Sequence, residues 1–329
     1  MPKRGSGCNK GKEEGNCEGT EAVTEEGKDM HFNVKEDIIQ ITSLWQGERF
    51  EDGRPRVPDK YLKALHSLTL EEVWKPIFVK GYENQFEGRL KLLHNDGRKL
   101  IGRAVTASFL PTRPDYNQTV MEIGRSEGRT GTYNQWVIDS LTEGDVCVVD
   151  MYDKIYKGTF LGGNLTTAIA GKTKTGGGVI WGGIRDVEQM KQIQEVQVYY
   201  RGIDPTPIRE FVMAGFNTPT KIGNAVCLPG DIVFGTDAGV LFIPAHLVEE
   251  VVDGAVKTKV KDMFGFEMIT QNKFTTAQID KNVWTKEMLD LLVDYINTNE
   301  AAAKYRDIDW SKEYGLAANG DPTDTQSAL

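Results

Sequence analysis

The sequence predicts an α/β protein with helical extensions at both ends. Two observations predict it. Over residues 100–257, short apolar runs alternate with segments of helical period, the pattern of strands buried beneath helices. Outside that stretch, apolar residues recur only at helical spacing or thin out.

The elements follow in order. Residues 1–30 read as a polar, disordered tail: Gly, Lys and Glu dominate, and too little apolar surface exists to offset ordering entropy. Cys8 and Cys17 lie there without a neighbouring His or a Cys-x-x-Cys spacing, which argues against a metal site. Residues 31–99 read as a helical part. Val34, Ile38, Ile41 and Trp45 fall at helical spacing, and GERFEDGRPRVP breaks it. Pro58 and Asp59 start a helix over 60–68, and another runs over 70–79, interrupted by Pro76.

The α/β core is expected over residues 100–257. IGRAVTASF alternates like a strand and ends at Pro111, while 120–131 carries no clear period. A short helix covers 136–141. VCVVDM over 146–151 is a continuous apolar strand, the kind buried on both faces. A helix over 165–172 follows Gly162-Gly163, and GVIW over 178–181 is the next buried strand, ended by a turn at Gly182-Gly183. Then come a helix over 187–193 and strands over 196–200 and 225–228. Strands 231–235 and 240–243 flank Asp237-Ala238-Gly239 as a hairpin. A helix over 245–257 buries Leu247, Val248, Val251, Val252 and Val256. Residues 258–329 read as an extension with one helix over 286–297 and a tail after Trp310.

Composition narrows function. Lys plus Arg number 39 and Asp plus Glu 48, a formal charge of −9, which argues against a general nucleic-acid binder. No run approaches the roughly 20 apolar residues of a membrane helix. Lys3 and Arg4 are followed by no apolar run, so no secretion signal is expected and the chain reads as cytoplasmic. Four cysteines cannot build a disulfide framework.

Common catalytic patterns are missing. Gly171-Lys172-Thr173 ends like a phosphate-binding loop, but Thr166 stands where that loop needs Gly. The four histidines form no metal-ligand pair, Cys147 and Cys227 sit inside apolar strands, and no G-x-S-x-G elbow is present. The productive stretch is GGNLTTAIAGKTKTGGGVIWGGIRD, residues 162–186. A Gly-Gly-Asn-Leu turn enters a helix, so the N–H groups of Gly163, Asn164, Leu165 and Thr166 can face an anion. Arg185 and Asp186 follow a buried strand at its carboxyl end, where open α/β folds bind ligands. Arg185 offers a planar fork for a carboxylate, and Asp186 a hard oxygen ligand for a divalent cation.

These residues carry a resemblance. Gly144-Asp145, Gly163-Asn164-Leu165, Gly182-Gly183-Ile184-Arg185-Asp186, Pro229-Gly230-Asp231, Asp237, Gly239-Val240 and Pro244 occur in the order and spacing of the RraA-like family. That family includes the class II 4-hydroxy-4-methyl-2-oxoglutarate/4-carboxy-4-hydroxy-2-oxoadipate aldolases and the regulator of ribonuclease activity A. The resemblance covers residues 100–255 and implies a three-layer swivelling-type α/β domain with central mixed sheets. It implies a trimer or hexamer with sites at subunit contacts.

It also implies chemistry: retro-aldol cleavage of a 2-oxo carboxylate with release of pyruvate, and oxaloacetate decarboxylation through the same enolate. Gly163, Asn164, Leu165 and Thr166 would hold the carboxylate, Arg185 the carbonyl or enolate oxygen, and Asp186 a Mg²⁺ or Mn²⁺ ion. The aldolases carry acidic residues where this chain has Asn164 and Trp181, and Trp181 is expected to make the pocket wall apolar. The alternative is a non-catalytic, protein-binding regulator; that branch lacks the metal-binding Asp, which is present here as Asp186. Arg113 and Asp115, with Arg103 before them, are expected in a solvated loop, and Tyr199, Tyr200 and Arg201 are weighed as pocket lining.

Overall fold

The computed structural model describes residues 31–319. The polar tail over 1–30, with Cys8 and Cys17, lies outside them. Helix α1 (Lys35–Ile41) buries only Ile38 and stops at Thr42, short of the expected Trp45. Helices α2 (Asp59–Leu65) and α3 (Leu70–Val79) lie where Pro58 and Thr69 start them. Thr69 and Glu72 form a reciprocal cap, and Pro76 does not end α3. The segment expected to be helical also holds two short strands, β1 (Phe86–Glu87) and β2 (Lys91–Leu92).

Strand β3 (Leu100–Pro111) leads to α4 (Pro114–Ser126), which fills the stretch left without a period; Pro114 sits in its first turn, where no N–H is needed. Then follow α5 (Tyr133–Asp139), β4 (Asp145–Asp150), β5 (Thr159–Leu161), α6 (Gly163–Thr173), β6 (Gly177–Ile184) and α7 (Val187–Met190). Strands β7 (Gln197–Ile203), β8 (Phe211–Phe216), β9 (Thr220–Ile222), β10 (Ala225–Cys227), β11 (Ile232–Thr236) and β12 (Gly239–Ile243) complete the sheets. A 3₁₀ turn at Ala245–Leu247 opens onto α8 (Val248–Thr270), which runs well past the end expected at residue 257. Short α9 (Thr276–Ile279), α10 (Lys286–Thr298) and α11 (Ser311–Asn319) follow.

The main sheet is mixed, in the order β1-β12-β11-β3-β4-β6-β7-β2, with β5 beside β6 and β8 beside β3. The pairs β3–β4, β4–β6, β5–β6 and β6–β7 are parallel; the outer pairs are antiparallel. Alternation sorts β4 cleanly. Cys147 and Val149 face a core shared with Trp136 and Ile169 of α5 and α6, while Val146 and Val148 face Ile222, Ala225 and Cys227 of the β9–β10 hairpin. A third cluster joins α2, α3 and α8 to β11 and β12 through Leu65, Val73, Val251, Phe234 and Leu241. Helices thus cover one face, and a hairpin with further helices the other. This is the expected α/β class with a central mixed sheet.

Two expectations change. Gly182-Gly183 is not a turn but strand: Gly183 pairs with Thr159 of β5 and Gly202 of β7. A Cβ on Gly182 would lie 2.6 Å from Met151 Cβ, so the glycines serve close packing. The stretch after Trp310 is not tail throughout. α11 docks by Lys257–Glu313 and by the Tyr314 hydroxyl, which donates to Asp290, beside a fourth core of Val260, Phe264, Trp284, Leu292 and Trp310. No helix among the described residues is long and apolar enough to cross a membrane.

Candidate functional site

The cleft forms where β5, β6 and α6 meet. β5 runs directly into the start of α6, and β6 ends beside it, so Arg185 and Asp186 arrive at the helix N-terminus. The Arg185 N–H donates to the Leu161 carbonyl at 2.9 Å and fixes that meeting. Asp186 takes φ +55°, the left-handed region, which bends the chain sharply into α7. Its Oδ2 accepts from the Gly163 N–H at 3.1 Å and lies 3.8 Å from Arg185 Nε. Gly162 makes room: a Cβ there would stand 2.5 Å from Asp186 Oδ2 and 3.2 Å from Arg185 Nε.

The four amides at the start of α6 are not equivalent. Gly163 donates to Asp186, and Thr166 donates to the Gly162 carbonyl at 3.0 Å as the first helical bond. Thr166 is buried, its hydroxyl also on the Gly162 carbonyl. The Asn164 and Leu165 amides have no acceptor among the described residues, as the first turn of a helix dictates. Asn164 is exposed, and Leu165 is half-buried. The cleft encloses about 370 Å³ and is lined by Asn164, Leu165, Arg185 and Asp186 together with residues the sequence did not single out. These include Asn134, Thr159, Gln189, Pro207 and Ile208. Gln189 sits one turn beyond Asp186, a spacing that could have flagged it; Asn134, Pro207 and Ile208 come from distant segments and left no local mark.

Asp186 presents one carboxylate, with Oδ1 free of any protein partner among the described residues. No group of three His, Cys, Asp or Glu side chains able to hold a metal exists among them. Such a donor set does not suit zinc, which needs three or four protein ligands. It fits a hard cation that keeps most of its waters and binds through one or two carboxylates.

Other expectations move away from the cleft. Trp181 does not wall it. Alternation along β6 turns Ile180 to the α-helical face and Trp181 to the opposite one, where Arg201 and Arg89 stack at 4.4 and 5.6 Å from its ring. Tyr199 is buried with its hydroxyl on the Thr236 carbonyl, and Tyr200 packs in the helical core. Arg201 pairs with Asp153 at 2.9 Å. Arg103 is not in a solvated loop: it is 4% exposed, within β3, and bonded to the Val57 carbonyl and Asp59. Arg113 and Asp115 are exposed and pair with each other.

Comparison with known proteins identifies the family and the fold. The RraA-like family, described as Aldolase/RraA, matches residues 72–242, more than half of the chain. Protein DlpA of Legionella pneumophila is 29% identical over 170 residues, 51% of this chain; the match spans about a quarter of that longer protein. Two solved structures share the fold. Streptomyces coelicolor RraAS2, titled an unusual member of the RNase ES inhibitor RraA protein family, is 24% identical with a TM-score of 0.54, covering 64% of this chain and 97% of its own. An uncharacterized protein from Pseudomonas syringae pv. tomato is 18% identical with a TM-score of 0.57, covering 71% and 97%. The match to the family over its ordered motifs, on this sheet and with Arg185 and Asp186 at its cleft, makes the chain a member of the RraA-like family.

Proposed function

We propose that the protein is a divalent-metal-dependent carbon–carbon lyase that cleaves a 4-hydroxy-2-oxo acid and releases pyruvate, with oxaloacetate decarboxylation as a side activity. One observation carries this reading: Arg185 and Asp186 lie against the open N-terminus of α6, over a glycine whose missing side chain leaves them room.

Retro-aldol cleavage breaks the C3–C4 bond. The 4-hydroxyl loses its proton and becomes a carbonyl, the bonding pair moves to C3 and onto the 2-oxo oxygen, and the resulting enolate takes a proton at C3 to give pyruvate. The amides of Asn164 and Leu165 bind the substrate carboxylate at the positive end of the helix. Gly163 and Thr166 shape that turn while their own amides are engaged within the protein. Arg185 places its guanidinium beside the oxygen that gains charge, which stabilises the enolate more than the ketone. Asp186 would hold Mg²⁺ or Mn²⁺, held in orientation by the Gly163 N–H. The bound cation supplies Lewis acidity toward the oxo group and toward water. The Asn134, Thr159 and Gln189 side chains line the space for the distal half of the substrate.

The test is pyruvate release from oxaloacetate and from 4-hydroxy-4-methyl-2-oxoglutarate, with Mg²⁺ and with chelator. Turnover should need the metal and fall about 10²- to 10³-fold in Arg185→Ala, the usual cost of removing one charge-stabilising donor. Asp186→Ala should abolish the metal-dependent turnover. Turnover no faster than metal alone would overturn the lyase reading. It would favour the non-catalytic regulator, which Asn164 supports by leaving the cleft one carboxylate short of the aldolase pattern.

A further inference from the structure

A second cavity lies at the other end of α6. It encloses about 380 Å³, and Arg56, Lys63, His66, Arg103 and Lys174 line it. Its acids are Asp59 and Glu143. Four permanent cations therefore meet two carboxylates, in a chain whose formal charge is −9. α6 has 11 residues, so the cleft and this cavity stand about 16 Å apart along its axis.

The cations are held in place and only partly neutralised. Arg103 is 4% exposed, yet only its Nε and Nη2 are used, on the Val57 carbonyl and Asp59. Its Nη1 has no acceptor among the described residues. A Cβ on Gly144 would stand 2.9 Å from that nitrogen, so the glycine keeps its surroundings open. The Phe50 ring gathers Arg54, Arg56 and Arg103 at 4.9, 5.6 and 5.7 Å from its centroid. Arg54 is spent on Asp52 and Asp145. Among the described residues Arg56 forms an ion pair with exposed Glu48, at 3.7 Å. Lys63 and Lys174 form no ion pair among the described residues. Lys174 also occupies φ +68° after the last turn of α6, a place where Gly is at ease and Lys is strained.

We propose that this cavity binds a small polycarboxylate anion. The Arg56 guanidinium fork matches a planar carboxylate, Arg103 adds the one N–H group, Nη1, that its own bonds leave over, and Lys63 and Lys174 supply point charges at the rim. Phe50, Leu62 and Ile101 line the same cavity and give a carbon skeleton an apolar surface, which a bare inorganic anion would not use. The site is independent of the lyase reading, because it shares no residue with the cleft.

The experiment is calorimetric titration of the full chain with tricarballylate, which has neither the hydroxyl nor the oxo group needed for cleavage. Saturable binding should weaken at least tenfold in Lys63→Ala/Lys174→Ala, whose side chains are exposed and unpaired, so the fold should hold. Affinity should be unchanged in Arg185→Ala. Sulfate at equal ionic strength should compete poorly. Absence of saturable heat, unchanged affinity in the double variant, loss of binding in Arg185→Ala, or equal competition by sulfate would each overturn the proposal.

Discussion

Gly162 shows how much of the cleft rests on an absent side chain. Its Cβ position lies 2.5 Å from Asp186 Oδ2, closer than real contacts allow, so Gly162→Ala must push the carboxylate away from the Gly163 N–H. The short carboxylate can move, so circular dichroism should report a native fold. On the proposed lyase reading, metal-dependent turnover should fall by tenfold or more; wild-type turnover in a well-folded G162A would refute the arrangement. Asp231 makes a different residue-scale case. Burial pushes its carboxyl up to about 7, although the Leu228 and Ala245 N–H groups partly offset this. The folded state therefore keeps a proton that the unfolded chain releases near pH 4. Stability should decline as pH rises from about 4 to 7, since over that window the native state binds more protons. Urea denaturation of the wild type and Asp231→Asn should show the slope and its loss in the variant. Arg185 and Asp186 were legible because a strand end followed by Arg-Asp is a local pattern. Trp181 was misread because its side of β6 depends on counting alternation from Ile180, which faces the helical core.

Elements were legible in proportion to length and period. The run Val146–Met151 and the stripe that opens α8 announced themselves, whereas β5 has three residues and β8 lacks alternation, so only the neighbours β6 and β3 make them strands. α8 ran past its expected end because its buried face changes partners. Val251 packs on α3 and the sheet, while Val260, Phe264 and Met268 pack on α10 and the segment before α11. α6 offers the sharpest test at this scale. Lys174 follows its last turn at φ +68°, a backbone state costing an L-residue about 1–2 kcal/mol. Lys174→Gly should raise the thermal midpoint by roughly 2 °C, as the relief of about 1 kcal/mol does in a chain of this size. An unchanged or lower midpoint would show that Lys174 makes up the strain through its own contacts.

At the scale of the molecule, the sheet order could not be read from the sequence, because β1 and β2 come from the segment taken as helical and close the two edges against β12 and β7. The Arg54–Asp145 pair, bidentate at 2.8 and 3.1 Å and almost fully buried, ties the segment between α1 and α2 to β4. Asp145→Ala should cost about 3 kcal/mol in denaturant unfolding by taking the buried Nη1 and Nη2 groups off their carboxylate while Asp52 keeps only Nε, whereas replacing both partners with apolar residues should cost less. The surface beside the cleft bears on assembly. Leu110, Tyr156 and Ile203 are 49%, 62% and 53% exposed. All three belong to segments tied to the 204–210 loop: Thr112 donates to the Glu210 carbonyl, Lys157 to Thr206, and Asp204 to the Ile184 carbonyl opposite Ile203. That loop also supplies Pro207 and Ile208 to the cleft. Large apolar side chains left in water beside a site open on one side are what a subunit contact would cover. A covered contact predicts a multiple of the 36.7 kDa protomer mass in light scattering, three or six times on the assembly that the family resemblance implies. Leu110→Asp/Ile203→Asp should shift the mass toward the protomer and reduce turnover in the same step. A monomeric wild type, or a dissociated variant with full turnover, would place the complete site within one chain.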